Sequence, residues 1–281
     1  MRNPVSIPRV PTDRRARRPK KSLGQHFLKD RAVIERILRV AEIDPRDTVV
    51  EIGPGEGCLT FPLAERAAEV VAVELDPDLY RSLLEKGRDY PHLRLVQADA
   101  MTFPFGEIPA PFKVVANLPY YITTPVLFRL LSFREKIQSL TLMIQKEVAE
   151  RMVASPGGKE FGVLSITVQF YTQPKLCFTV SRDAFFPKPN VESAVVLLIP
   201  RAAPPVAVRN TPFFIDLVRT AFTHRRKVLA NALRSTPFPR EQIHEALHRA
   251  GVAPNRRPET LSLEEWGALS DILFEFRRGS C

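Results

Sequence analysis

Short apolar runs typical of strands alternate with segments of helical spacing over residues 30–154, and this order constrains the fold more than any other feature. The runs predicted as strands are 48–52, 70–75, 93–97, 112–117 and 139–145. Helical spacing is found over 30–42, 58–66, 77–86, 124–131 and 146–154. Strands joined by helices usually lie parallel in one sheet with helices on both faces. The sequence therefore predicts an α/β fold with a Rossmann-like, mostly parallel sheet.

Later segments predict additions to this sheet. Two runs rich in β-branched and aromatic residues, 163–171 and 193–199, predict a hairpin-like extension around a proline-rich loop. A proline-rich linker is expected over 200–212, followed by helices over 213–234, 240–250 and 262–277. We expect three parts: a disordered basic tail over 1–20, an α/β domain over 21–202 and a small C-terminal helical domain over 203–281.

Positive charge is concentrated at the two ends of the chain. The net charge is +10; residues 1–21 hold eight Lys/Arg and one acid, and residues 201–281 hold 13 Lys/Arg and eight acids. Residues 22–200 are near neutral, with 20 Lys/Arg and 22 acids. This distribution suits a catalytic domain with docking surfaces for a polyanion, but it equally suits a basic protein with a solvated tail.

The sequence predicts a cytoplasmic protein without a membrane segment. It contains no run of 18 apolar residues, and its basic N-terminus lacks the apolar core of a secretory signal. A transit peptide is the alternative, although serine is scarce there. Cys58, Cys177 and Cys281 include no Cys-x-x-Cys pair, so free thiols in a reducing compartment are expected.

A glycine-rich loop follows the first predicted strand and reads Glu51-Ile52-Gly53-Pro54-Gly55-Glu56-Gly57. The pattern Gly-x-Gly-x-Gly permits a tight turn and close approach of the backbone to a ligand. No lysine follows Gly57, so the nucleotide P-loop pattern is absent. The acids of the loop disfavour a pyrophosphate and tolerate a sulfonium cation. The alternative is an ordinary strand-to-helix turn.

Polar side chains also end the next three predicted strands. Glu74 lies 21 residues after Gly53, where an acid can accept hydrogen bonds from both ribose hydroxyls. Asp99 is placed to accept from an adenine amine, and Asn117 ends the fourth strand. Together with the glycine loop, these positions predict a cofactor site for NAD or S-adenosylmethionine.

Asn117 opens the tetrapeptide Asn-Leu-Pro-Tyr. The exocyclic amine of adenine is a poor nucleophile, because its lone pair is delocalised into the ring. An asparagine oxygen and the carbonyl before a proline can hold its two protons and favour a pyramidal nitrogen. Pro119 stiffens the turn, and Tyr120 offers a flat face for a base. The same tetrapeptide also suits a plain strand-to-helix turn.

Two further segments have two interpretations each. Gln25, His26 and Leu28 lie on a loop that we expect to close over the cofactor as a lid, although a lone histidine is more often structural. Phe185 begins a Phe-x-Pro-x-Pro run, a stiff loop suited to presenting a ring; the alternative places this ring in the core.

The segment 244–248 matches the zinc-protease pattern His-Glu-x-x-His. We interpret it as a chance match on the exposed face of a basic helix, because no further histidine follows. No metal site is therefore expected.

Taken together, these motifs resemble the bacterial ribosomal RNA small-subunit adenine N6,N6-dimethyltransferases, the KsgA family. The resemblance covers about residues 20–275, and the chain has His26 where many members have asparagine. The matching segments are 24–28, 51–57, 73–76, 97–100, 117–122, 145–151, 185–195 and 221–227.

The resemblance implies a class I methyltransferase sheet and S-adenosylmethionine as the cofactor. The cofactor-binding residues it implies are Gln25, His26, Leu28, Gly53, Gly55, Glu74, Leu75, Asp99, Ala100 and Asn117. The catalytic residues it implies are Asn117, Leu118, Tyr120 and Phe185, with the rings of Tyr120 and Phe185 around the adenine.

The resemblance also implies the reaction and its setting: dimethylation of two adjacent adenines in a loop near the 3′ end of small-subunit rRNA, by a monomer acting on a pre-ribosomal 30S particle during ribosome biogenesis. Two alternatives remain. A large-subunit rRNA methyltransferase conferring macrolide resistance shares the Asn-Leu-Pro-Tyr motif, and an RNA-binding assembly factor would need no catalysis.

Overall fold

The computed structural model describes residues 25–279, and its centre is a seven-stranded sheet. The strands are β2 (Thr48–Ile52), β3 (Glu69–Glu74), β4 (Leu93–Gln97), β5 (Phe112–Asn117), β6 (Ile137–Gln145), β7 (Thr172–Val180) and β9 (Ser193–Pro200). Their order is β4-β3-β2-β5-β6-β9-β7. The strands β2 to β6 pair in parallel, whereas β9 is antiparallel to both of its neighbours. The expected α/β, Rossmann-like fold is confirmed.

Six helices accompany the parallel strands: α1 (Arg31–Ala41) precedes them, α2 (Thr60–Ala64), α3 (Pro77–Lys86) and α4 (Thr123–Leu131) lie between them, and α5 (Lys146–Val153) and α6 (Val163–Tyr171) follow β6. Two of them begin at an aspartate that caps the first turn. Asp30 accepts hydrogen bonds from the amides of Ala32 and Val33, and Asp76 accepts from the amide of Asp78. These caps fix where the chain leaves the sheet edge and enters a helix.

A second, two-stranded sheet lies over one end of the first. Its strands are β1 (Phe27–Leu28) and β8 (Phe185–Phe186), which pair antiparallel with Leu28 opposite Phe185. The amide of Lys29 also donates to the carbonyl of Ala184 at 2.8 Å. The N-terminal segment and the later proline-rich loop therefore form one unit.

Alternating positions of the sheet strands belong to two hydrophobic clusters. One face carries Val50, Ile52 and their neighbours, packed against α4 and α5. The opposite face carries Val49 and Val115, packed against α1, α2 and the β1–β8 unit. Burial on both faces explains why these strands are nearly continuous in apolar residues.

The prediction of a strand over 163–171 is wrong, because this segment is the helix α6. Its β-branched and aromatic residues favour a strand locally, but six of the nine residues of the helix are buried. Leu164 and Val168 face the sheet cluster, whereas Ile166 and Phe170 pack with the C-terminal helices. Contact with two cores outweighs the local preference. The run predicted over 193–199 is confirmed as β9.

The strand β7, which follows α6 directly, is not predicted from the sequence. Pro174 and Lys175 interrupt its apolar pattern, and such residues argue against a central strand. The strand lies at the edge of the sheet, pairing only with β9. An edge strand tolerates proline because one of its sides needs no hydrogen-bond donor.

The single helix predicted over 213–234 is also wrong, since the chain breaks after Thr223. The C-terminal helices are α7 (Thr211–Thr223), α8 (Leu229–Ala232), α9 (Arg240–Arg249) and α10 (Leu263–Gly279). At the break, Arg225 turns back and donates to the carbonyl of Phe161 at 3.2 Å. These helices pack around a separate cluster that includes Phe214 and Trp266.

Some predictions fall outside the described residues, namely the tail over 1–20, residues 21–24 of the predicted α/β domain, and Cys281. Within residues 25–279, no helix is long and apolar enough to cross a membrane. Cys58 and Cys177 are free thiols, as expected.

Candidate active site

One pocket opens at the carboxyl ends of β2, β3, β4 and β5. It encloses about 1040 Å³ including its open mouth, at the upper end of the range for small-molecule sites. The carboxyl ends of neighbouring parallel strands meet at one edge of a sheet, so residues distant in sequence converge there. The structure brings together every residue predicted for the site: Gln25, His26, Leu28, Gly53, Gly55, Glu74, Leu75, Asp99, Ala100, Asn117, Leu118, Tyr120 and Phe185.

The loop after β2 presents backbone to this pocket. Gly53 and Gly55 have φ angles of +69° and +61°, which lie in the left-handed region that glycine adopts without strain. A Cβ atom at Gly55 would also lie 3.2 Å from the Phe27 ring. Any side chain at Gly55 would therefore strain the turn and push against β1.

Glu74 holds the loop in place from the end of β3. Its Oε2 accepts a hydrogen bond from the Gly55 amide at 3.1 Å, and its Oε1 accepts from the Asp76 amide at 2.8 Å. The residue is 6% exposed, and burial raises the pKa of its carboxyl above the usual value although these hydrogen bonds oppose the rise. Each carboxyl oxygen has two lone pairs, so Glu74 can still accept from two hydroxyls of a ligand.

Gln25 and Asp76 add a contact that the sequence analysis missed. The Gln25 side-chain amide donates to Asp76 Oδ2 at 3.0 Å. This bond ties the segment before β1 to the start of α3. Asp76 lies just before Pro77, a position typical of a helix cap. This position indicates a role for Asp76 at the start of α3, but the sequence does not indicate its contact with Gln25.

Asp99 lies exposed just after β4, beside the buried Ala100. Its Oδ1 accepts from the Met101 amide at 2.8 Å, so the turn fixes the carboxylate. Its Oδ2 has no hydrogen-bond partner in the described part of the chain. Asp99 can therefore accept a hydrogen bond from a ligand amine.

The amide of Asn117 is held in one orientation. Its Nδ2 donates to the backbone carbonyl of His26 at 3.3 Å. Because Nδ2 is engaged by the β1 segment, Oδ1 remains as the acceptor. The next residue is fixed as well, since the Leu118 amide donates to the Met143 carbonyl at 3.1 Å. The strand end thus carries one oriented acceptor oxygen into the pocket.

The ring of Tyr120 is held at both ends. Its hydroxyl hydrogen-bonds with Ser193 Oγ at 2.8 Å, and its ring stacks on His26 with centroids 5.7 Å apart. Burial raises the pKa of the Tyr120 hydroxyl above its usual value, so the ring stays neutral. Ser193 on β9 was also missed, because nothing in the sequence signals a contact between the two residues.

The predicted lid corresponds to the β1–β8 unit. The Nδ1 atom of His26 lies 2.7 Å from the Pro187 carbonyl. A carbonyl can only accept, so Nδ1 carries the hydrogen of this bond. Phe185 is 5% exposed and belongs to the hydrophobic cluster that contains Leu28, yet it also lines the pocket. The two interpretations of Phe185 are therefore compatible.

Glu51 is a buried carboxyl group that lines the pocket. It is 2% exposed, and its Oε2 has no hydrogen-bond partner within residues 25–279. Burial raises the pKa of its carboxyl to about 8, and the negative charge of Glu74 adds to the rise. The carboxyl is therefore mainly protonated at neutral pH. From the sequence, Glu51 is predicted only as one of the acids of the glycine loop.

Glu51 should make the folded protein less stable as the pH rises. Its pKa is near 4.5 in the unfolded chain and about 8 in the folded one. Between these values only the folded chain keeps the proton, so the free energy of unfolding falls with pH. Between about pH 5 and about pH 8.5 the fall should reach roughly 4 kcal/mol, at about 1.4 kcal/mol per full pH unit. Urea unfolding at about pH 5 and about pH 8.5 measures it; equal falls for the parent and Glu51→Gln would contradict this assignment.

The residues present suit S-adenosylmethionine better than a dinucleotide. The described residues that line the pocket include no lysine or arginine to bind a pyrophosphate. They do include carboxyl groups for hydroxyls and amines, a close glycine backbone, and the unmatched Glu51 carboxyl for a cation. The sheet order and this site define a class I methyltransferase that uses S-adenosylmethionine.

The chain belongs to the ribosomal RNA adenine dimethylase family, whose sequence profile matches residues 16–275. It is 48% identical over 269 residues to a "Ribosomal RNA small subunit methyltransferase A" of Moorella thermoacetica, covering 91% of this chain and 92% of that protein. A protein of the same name from Clostridium botulinum (strain Okra) is 47% identical over 258 residues, covering 91% and 94%. The predicted family, enzyme class and cofactor are confirmed.

Solved structures agree with this assignment. The dimethyladenosine transferase from Plasmodium falciparum superposes with a TM-score of 0.76 at 27% identity, covering 91% of this chain and 98% of that one. The 23S rRNA methyltransferase ErmE superposes with a TM-score of 0.70 at 32% identity, covering 88% and 99%. The chain is therefore an rRNA adenine dimethyltransferase, and neither a zinc protease nor a purely structural factor. His244 and His248 of the protease-like pattern lie exposed on α9.

Proposed function

We propose that the chain dimethylates N6 of two adjacent adenines in a loop near the 3′ end of small-subunit rRNA. It would act as a monomer on a pre-ribosomal 30S particle in the bacterial cytoplasm. The small-subunit assignment is supported by the printed names of the two relatives, which match over nine-tenths of the chain. ErmE, named for 23S rRNA, is less similar in sequence at 32% identity.

The observation that carries this proposal is the oriented amide of Asn117. With Nδ2 held by the His26 carbonyl, Oδ1 would accept one proton of the target amine, and the carbonyl of Leu118 would accept the other. Holding both protons favours a pyramidal nitrogen whose lone pair points at the methyl donor. No strong base is needed, because the amine becomes more acidic as it is alkylated. Catalysis then rests on orientation and on preorganised acceptors.

S-adenosylmethionine supplies an electrophilic methyl group on its sulfonium. Glu74 would bind its ribose hydroxyls, Asp99 its adenine amine, and the backbone of Gly53 and Gly55 its remaining polar groups. The walls of the cofactor pocket would include His26, Leu28, Leu75 and Ala100. Gln25 would contribute indirectly, by its hydrogen bond to Asp76. The β1 segment of the lid also carries the His26 carbonyl that orients Asn117. Closure of the lid would therefore also orient the Asn117 oxygen that accepts from the target amine.

The target adenine would stack between Tyr120 and Phe185. Ser193 and His26 hold the first ring, and pairing of β8 with β1 holds the second. An adenine inside a helix cannot enter such a slot, so an unstacked base in a loop is the expected substrate.

The C-terminal helices, which we propose form an RNA-binding domain over 203–281, would grip the phosphates. Several of their basic side chains are exposed and have no carboxylate partner among the residues described: Arg226, Lys227, Arg234 and Arg240. Others are already paired with acids, such as Arg256 with Glu265. The unpaired group lies at the α7–α8 break and beyond it.

Glu74→Ala should weaken binding of S-adenosylmethionine by about 1–3 kcal/mol, the range for losing a charged hydrogen-bond acceptor. Calorimetric titration measures this loss. Glu69→Ala is the matched control, because Glu69 begins the same strand at the end away from the pocket. Equal affinities for the parent and Glu74→Ala would remove Glu74 from the binding site.

Deleting residues 1–20 should make RNA binding less sensitive to salt. This segment holds seven Lys/Arg and one acid. Each lost phosphate contact lowers the slope of log K against log salt by roughly 0.7–0.9, so a fall of a few units is expected. Filter binding across a salt series tests it. An unchanged slope would show that the segment does not touch RNA.

Transfer of tritiated methyl groups tests the substrate assignment directly. Undermethylated small subunits should be labelled with two adjacent dimethyladenosines near the 3′ end of their rRNA. Large subunits from the same cells provide the matched alternative substrate. Labelling of large-subunit rRNA alone would overturn the proposed substrate and favour the relationship to ErmE.

A further inference from the structure

We propose that Glu51 is a proton-linked cofactor-binding group: it is neutral in the free protein and releases its proton when a cationic group of the cofactor enters the pocket. The inference rests on binding of S-adenosylmethionine in this pocket, as proposed above. Segment 51–57 is one of the segments that match the family, but the cofactor-binding residues implied by the resemblance do not include Glu51.

Glu51 occupies a central position beside the cofactor pocket. It lies near the end of β2, a central strand, with Ala72 of β3 and Val115 of β5 as its neighbours. It directly precedes the glycine loop and lines the same pocket. Val115 is two residues before Asn117 on β5, so Glu51 lies on the sheet face that carries the lid and the oriented amide.

A negative charge on Glu51 would lack a basic partner within residues 25–279. Its Oε2 is buried without a hydrogen-bond partner in the described structure. The Thr60 hydroxyl is near enough to lower the pKa of Glu51 in part, but completes no hydrogen bond with it. No lysine or arginine within residues 25–279 forms an ion pair with Glu51.

The titratable groups around Glu51 oppose its ionisation or are neutral. Glu74 on β3 adds negative charge, and Cys58 in the following loop has its pKa raised to about 12 by burial and by Glu51. Lys29 on the lid segment is paired with Glu56. An unmatched buried carboxylate is costly, so the protonated form is favoured until a cation arrives.

The cofactor brings suitable cations. S-adenosylmethionine carries an ammonium and a sulfonium group, and its product S-adenosylhomocysteine keeps only the ammonium. When either group comes to lie near Glu51, the O–H bond breaks, the proton leaves to solvent, and the carboxylate electron pair faces the cation. With a pKa of about 8, about 0.9 proton would be released per site at about pH 7.

Calorimetric titration in two buffers of different ionisation enthalpy at about pH 7 counts this proton. We expect the parent to release about 0.5–1 proton on binding S-adenosylmethionine, and Glu51→Gln to release close to none. Glu85→Gln is the matched control, since Glu85 is exposed on α3 outside the pocket, and it should behave as the parent. Between about pH 6 and pH 7 the parent Kd should fall by up to tenfold, whereas the Kd of Glu51→Gln should change far less.

Titration with S-adenosylhomocysteine separates the two cations. Release with both ligands assigns the ammonium, and release with S-adenosylmethionine alone assigns the sulfonium; both results support the inference. Carbon-13 NMR of the glutamate carboxyl carbons in the parent follows Glu51 without any substitution, should Glu51→Gln fold poorly. Binding without proton release, or equal release by Glu51→Gln, would overturn the inference alone. Absence of binding would overturn the proposed cofactor site and the inference together.

Discussion

Replacing Asn117 with alanine should slow methyl transfer by about 10²–10³, the range found when an oriented group that stabilises a transition state is removed. The Asn117 oxygen would act mainly as the target nitrogen becomes pyramidal, so the loss should fall on the chemical step. Asn117 is only partly buried at a strand end, so the variant should fold. It should still bind the cofactor, because Glu74 and Asp99 are unchanged, although the affinity should be lower.

Single-turnover rates on undermethylated small subunits, followed by mass spectrometry of the nucleosides, measure this effect. Gln138→Ala is a suitable control, because Gln138 is an exposed amide side chain near the start of β6, at the opposite end of the sheet. A parent rate of dimethylation by Asn117→Ala would refute the role given to the Asn-Leu-Pro-Tyr motif. A loss seen only in cofactor affinity would assign Asn117 to cofactor binding instead.

The parallel sheet explains why so much of the site was predictable. Once β2, β3, β4 and β5 were placed side by side, any polar residue at a strand end had to lie at one edge. Glu74, Asp99 and Asn117 follow this rule, and the glycine loop marks the first turn. The strand ends and the glycine loop are recognisable from short segments of sequence. Both the architecture and these pocket residues are therefore predictable without knowledge of long-range contacts.

Other parts of the site depend on contacts that no local signal encodes. The β1–β8 pairing joins two segments about 158 residues apart, and the bond from Asn117 to the His26 carbonyl depends on that pairing. The segment that forms α6 predicts a strand, because its local preference opposes its tertiary setting. Burial raises the pKa of Glu51, and that burial, with Oε2 lacking a hydrogen-bond partner in the described structure, arises only in the folded chain.

Replacing Phe185 should change the product as well as the rate. Phe185 is almost fully buried, so Phe185→Ala would also open a cavity in the cluster with Leu28. Phe185→Leu is the sharper variant, because it keeps apolar volume and removes the flat face. Stacking on an aromatic ring contributes about 1–3 kcal/mol per base, so the rate should fall by roughly 5- to 150-fold.

The second methyl transfer should suffer more than the first. A monomethylated adenine has one N–H left for the acceptors at Asn117 and Leu118, so its position depends more strongly on stacking. Phe185→Leu should therefore accumulate N6-methyladenosine at the expense of the dimethylated base, and mass spectrometry of the nucleosides gives this ratio. Phe186→Leu is the neighbouring control, since Phe186 is 60% exposed and should keep the parent ratio. Full dimethylation by Phe185→Leu at the parent rate would mean that Phe185 serves the lid alone and that Tyr120 positions the adenine without it.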